Sequence, residues 1–131
     1  MTGPAGLTDF GVRFLGKLHN LRHIEICGGG LSDEGVRVLA ELSELRCMNI
    51  SQNGGVTDRS VPLLAGLPVL ESLNLSNTSV GYGALPALQR LASLTSLALY
   101  SCAIPPSAAA GLRAALPRLL TLGMDDVISP C

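Results

Sequence analysis

Tryptophan is absent from this sequence of 131 residues, and Phe and Tyr occur only twice each. So few aromatics cannot build a base-stacking platform, which argues against a single-stranded nucleic-acid binder. Charge is scarce too: nine Lys and Arg face ten Asp and Glu, net -1, with no block of either sign. Such a chain has no electrostatic pull toward nucleic acid or an anionic membrane surface. Long apolar runs are missing; "VPLLAGLPVL" is too short to span a bilayer and is broken by proline. The opening "MTGPAGLTDF" lacks the basic start and apolar run of a signal peptide. Four cysteines (Cys27, Cys47, Cys102, Cys131) fall at irregular spacings, unlike a disulfide framework. These absences point to a cytoplasmic, intracellular protein with reduced thiols, a single domain over residues 1–131.

What is present is a repeat. Aligned on leucine, units begin at Leu21, Leu45, Leu70, Leu94 and Leu119, separated by 24, 25, 24 and 25 residues, with a half-unit at 7–20 before them. Each opens with apolar residues at its first, fourth and sixth positions, as in Leu70, Leu73 and Leu75. The fourth-to-sixth segment alternates apolar and polar and predicts a short strand. The second half changes period: Leu31, Val36, Leu39 and Leu42 make one apolar face of a short helix, as do Val56, Val61, Leu64 and Leu67. Neither element can bury its face alone, so the units must stack, strands in a parallel sheet and helices as an outer wall.

"LESLNLSNTSV" resembles a leucine-rich repeat, with Thr78 where Asn or Cys is common. "LSDEGV" and "VTDRSV" resemble the "I-T-D-x-G-L" segment of the cysteine-containing repeats of F-box proteins and their relatives in the ribonuclease-inhibitor-like superfamily. The resemblance runs from about Leu7 to Met124. It implies an α/β leucine-rich-repeat solenoid, right-handed, with parallel strands on the concave face and short helices on the convex face. It also implies that the ninth position points inward and bonds the turns, which makes Cys102 a buried structural thiol aligned with Gly29, Asn53 and Thr78. An F-box kinship further suggests, as an alternative role, the substrate-recognition part of a ubiquitin ligase.

Several patterns invite sharper chemistry. "ICGGGLSDEGV" looks like a phosphate loop, yet no Lys-Ser or Lys-Thr follows and the glycines do not fit G-x-G-x-x-G. The same slot reads "SQNGG", "SNTS" and "YSCA" in later units, so a strand-to-helix turn explains it. His19, His23 and Cys27 recur at four-residue steps, but an extended strand sets His23 and Cys27 roughly 13 Å apart, too far to share zinc. No base aligns with Cys102, and Asp125 with Asp126 is too small a set for a calcium loop. Glu25, Asp33 and Glu34 show no pairing suited to hydrolysis. The sequence therefore predicts no enzyme, no cofactor and no metal.

Binding is expected on the concave face, where the non-core strand positions form columns. The third position reads His23, Cys47, Ser72, Ser96, Thr121; the fifth Glu25, Asn49, Asn74, Ala98, Gly123. The seventh reads Cys27, Ser51, Ser76, Tyr100, Asp125, and the eighth Gly28, Gln52, Asn77, Ser101, Asp126. From these, His23, Glu25, Asn49, Gln52, Asn74, Asn77, Tyr100 and Asp125 are the candidate partner-binding residues, Tyr100 the leading anchor. The partner is expected to be a protein. After Met124 only "DDVISPC" remains, so a sheet edge near Leu122 is expected to invite self-association or a longer repeat array.

Overall fold

The computed structural model describes residues 8–125; the expectations on Leu7, Asp126, Cys131 and the terminal "DVISPC" lie outside them. Five strands, β1 (His23–Glu25), β2 (Cys47–Asn49), β3 (Ser72–Asn74), β4 (Ser96–Ala98) and β5 (Thr121–Gly123), form one parallel sheet in chain order. Register is constant: Ile24 pairs with Met48, Met48 with Leu73, Leu73 with Leu97, Leu97 with Leu122. Each strand covers the third to fifth positions of its unit, one residue earlier than expected. The sixth residue still bonds the neighbouring unit through its backbone N–H, as from Ile26 to the Asn49 carbonyl at 2.9 Å, but the chain is already turning.

Helical segments return the chain to the next strand: α1 (Asp9–Val12), α2 (Asp33–Leu39), α3 (Val61–Leu64), α4 (Leu85–Leu88) and α5 (Ala109–Ala115). In the middle units the expected helix is a 3₁₀ turn followed by a single α turn. Pro62 and Pro86 stand in the first turns of α3 and α4, where a missing N–H is tolerated. Between sheet and helices lies one apolar core. Ile24, Ile26, Met48, Ile50, Leu73, Leu75, Leu97, Leu99, Leu122 and Met124 fill it from the strands, and Val36, Leu39, Val61, Leu64, Leu88 and Leu112 from the helices.

The strand-to-helix turn has a backbone reason for its glycines. Its eighth position is left-handed in successive units: φ is 117° at Gly28, 62° at Gln52, 57° at Asn77 and 56° at Ser101. A side chain there costs roughly 1–2 kcal/mol, which Gly28 avoids and the later units carry. What they gain is a bond to the next unit: Gln52 N–H to the Ser76 carbonyl (2.9 Å) and Asn77 N–H to the Tyr100 carbonyl (2.8 Å).

A second link runs along the helix starts. The carboxylate of Asp9 accepts from the N–H and hydroxyl of Ser32, that of Asp33 from the N–H (2.8 Å) and hydroxyl (2.6 Å) of Thr57, and that of Asp58 from Gly81 N–H (2.6 Å). Ser60 adds a hydroxyl to Asp33. One aspartate thus caps the following unit's turn, until Tyr82 and Pro106 take its place. Burial alone raises the Asp33 pKa, but the hydroxyls of Ser60 and Thr57, the Thr57 N–H and the Arg59 charge outweigh it, so the net shift is downward. A depressed carboxylate stabilises the fold above its unfolded pKa, about 3.9, and stops doing so as pH falls through its folded value. Urea midpoints of wild type and Asp33→Asn should therefore differ at pH 7 and converge in acid; a gap independent of pH would contradict this linkage.

Candidate functional site

The third and fifth positions of the first three units stand side by side, because the register sets His23 beside Cys47 and Cys47 beside Ser72. They form a shallow depression of about 240 Å³ on the strand face, lined by His23, Glu25, Cys47, Asn49, Ser72 and Asn74, with Met48 at its floor. Four of the eight candidate residues, His23, Glu25, Asn49 and Asn74, come together here. Cys47 and Ser72 join them; the column alignment contained both, but neither small side chain drew attention. His23 Nε2 lies 3.1 Å from Glu25 Oε1, two residues along the same strand.

The asparagines are partly committed. Asn49 Oδ1 accepts from Ser51 N–H (3.1 Å) and from the Cys27 thiol (3.5 Å), and Asn74 Oδ1 accepts from Ser76 N–H (2.9 Å). Each carboxamide oxygen thus fastens the end of its own strand, while its Nδ2 makes no hydrogen bond among the described residues. Ser51 and Ser76, expected as surface positions of the seventh column, are buried. The chain bends inward there, and Ser76 Oγ accepts from Tyr100 N–H at 3.1 Å.

The other four candidates lie toward the turns. Gln52 and Asn77 are exposed at the left-handed positions, outside the depression. Asp125 is exposed, and its Oδ2 accepts the Ser101 N–H at 2.8 Å, doing for the fourth turn what a carbonyl does for the second and third. Tyr100 is 49% exposed. Its ring lies over Gly123, where a Cβ would come within 2.5 Å of it.

Cys102 is half-buried rather than buried, yet it has the inward role expected of it: its thiol donates to the Leu75 carbonyl at 3.0 Å. Asn53 occupies the equivalent position and is fully buried. Its Oδ1 accepts from Gly29 and Leu31 N–H, and its Nδ2 lies 2.8–3.0 Å from the Ile26, Ile50 and Ser51 carbonyls. Cys27, at the seventh position of the first unit, turns its thiol to Asn49 and Ser51 of the next. Register places Cys47 next to His23, as their adjacent places in the third column require. Among the described residues no group of three His, Cys, Asp or Glu is placed to hold a metal ion, and no helix is long and apolar enough to cross a membrane.

No protein-family model matches the sequence, and no curated protein does. Solved structures do match. The actin-binding site 2 of leiomodin-1 superposes with a TM-score of 0.68 at 14% identity, over 96% of this chain and 83% of that one. The fold is a leucine-rich-repeat solenoid. Internalin C2 of Listeria monocytogenes matches with a TM-score of 0.59 at 22% identity, and a second internalin of that organism with 0.58 at 20%. Each covers 89% of this chain, which spans 56% and 38% of theirs. At these identities the likeness concerns architecture.

Proposed function

We propose that this protein is a non-catalytic interaction module that binds a protein partner on its concave strand face. The observation that carries the reading is the strand-face depression, whose side chains other than Met48 lie outside the core and are held at fixed spacing by the sheet register. Fixed, polar, closely spaced groups are what a partner can complement without an ordering cost on this side. The leiomodin match is itself an actin-binding site, so the architecture does serve protein binding there.

Within the solenoids, we place these repeats with the cysteine-containing type, supported by the Cys102 thiol at the inward ninth position and by the aspartates that open the helical segments. An intracellular setting belongs to the proposal and is supported by the free thiols of Cys27, Cys47 and Cys102. No structural observation favours the ubiquitin-ligase role over a general binding module.

Ser72→Arg tests the reading, since Ser72 lines the depression and its hydroxyl makes no hydrogen bond among the described residues. Partner retention in an affinity pull-down should be lost, with the unfolding midpoint unchanged. Tyr100→Ala should weaken retention several-fold and leave stability within about 0.5 kcal/mol, as expected of a surface side chain. Replacing Tyr82, an exposed aromatic on the helical side, by Ala should change neither retention nor stability. Partners kept by Ser72→Arg and lost by Tyr82→Ala would move the site to the helix face.

A further inference from the structure

The strand face has a charge and hydrogen-bond character that specifies its partner further. None of the nine Lys and Arg residues falls in the third, fifth, seventh or eighth columns. Acidic side chains do: Glu25 at one end, with His23 Nε2 3.1 Å from its Oε1, and Asp125 at the other, with Ser101 N–H on its Oδ2. Glu25 is the one acidic group among the residues lining the depression. Between these ends, Asn49 and Asn74 spend their oxygens on the strand ends, which leaves Nδ2 donors on adjacent strands. Strands lie about 4.8 Å apart, close enough for both donors to meet one extended chain crossing the sheet. Beyond them the half-exposed Tyr100 ring offers an apolar surface. Three strand steps and a two-residue offset put it roughly 16 Å from Glu25, the reach of about five residues of extended chain.

Resting on the binding reading above, we infer that this face takes an extended, cationic segment of the partner. A Lys or Arg sits over Glu25, main-chain carbonyls accept from Asn49 and Asn74 Nδ2, and an apolar side chain about five residues away packs on Tyr100. Acceptor groups suit the asparagines, because Asn49 Oδ1 already accepts two hydrogen bonds and Asn74 Oδ1 one, whereas both Nδ2 groups have donors to offer. An acidic segment is disfavoured at both ends, since like charges across an interface repel.

Selection of displayed linear peptides on the intact protein tests this. Enriched peptides should pair a Lys or Arg with an apolar residue four to six positions away. They should lose about tenfold in affinity on Glu25→Lys, and less on Tyr100→Ala, with raised salt weakening wild type far more than Glu25→Lys. Ser72→Arg should abolish binding throughout, and Cys47→Arg does the same job if that variant folds poorly. Peptides that depend on Ser72 but are acidic or patternless, or that ignore Glu25→Lys, would overturn this inference and leave the binding module standing. Peptides indifferent to both arginine variants, or no enrichment at all, would overturn both.

Discussion

Asn53→Ala should cost about 3–5 kcal/mol, at the upper end for a single substitution, because several buried backbone groups lose their partner at once. Gly29 and Leu31 N–H would lose their acceptor, and the Ile26 and Ile50 carbonyls their donor. Those groups belong to two successive units, so the loss falls on the joint between them. Asn53→Thr should recover part of the cost. Thr78 shows how: its hydroxyl donates to its own unit's Leu75 carbonyl at 2.6 Å and accepts from Val80 N–H at 3.4 Å. A threonine at 53 would still leave the bond to Ile26 of the preceding unit unmade. Urea unfolding of the three proteins decides the matter. An alanine variant within about 1 kcal/mol of wild type would mean that water satisfies the turn and that Asn53 is not its organiser.

Leu73→Ala and Leu97→Ala should each destabilise by about 2–5 kcal/mol, the usual range for emptying a packed leucine site. Both side chains are 1% exposed, and they pair in register in the middle of the sheet, flanked by Met48 and Leu122. With sheet on one side and helices on the other, little can collapse into the hole. Leu120→Ala supplies the contrast, because that leucine is 68% exposed. It should fall within about 0.5 kcal/mol of wild type. Equal midpoints for the three variants would contradict the register on which the strand-face columns rest.

How much of this was legible in the sequence divides along a physical line. The period of apolar residues is set by burial, so Ile24, Met48, Leu73, Leu97 and Leu122 could be read as one core row. The column neighbours across the sheet followed from the same period. Apart from the inward ninth position, where Cys102 bonds the Leu75 carbonyl as the resemblance implied, what escaped was hydrogen bonding between units. The capping of Thr57 by Asp33 joins residues 24 positions apart in two helical segments, and no local periodicity marks it. Alternation places Ser51 and Ser76 outward, yet both are buried against the preceding or following unit: Ser51 Oγ lies 3.4 Å from Cys27 Sγ and Ser76 Oγ accepts from Tyr100 N–H. Asn49 and Asn74 were recognised as strand-face groups, yet only the structure distinguishes the oxygen, fastened to the strand end, from the nitrogen that a partner can meet. Gln52 and Asn77 were chosen for their polarity, and their first duty is to hold a turn.

The central claim, that partners bind on the strand face, is tested most directly through Cys47. This thiol is free, half-buried and part of the depression's lining, so no label need be introduced. The measurement is its alkylation rate by iodoacetamide, read by mass spectrometry, in the isolated protein and with the partner bound. Cys102, whose thiol is directed inward to the Leu75 carbonyl, serves as the internal reference. The account predicts that the partner slows alkylation of Cys47 several-fold and leaves that of Cys102 unchanged. Cys47 reacting equally fast in the complex, with the partner demonstrably bound, would contradict it.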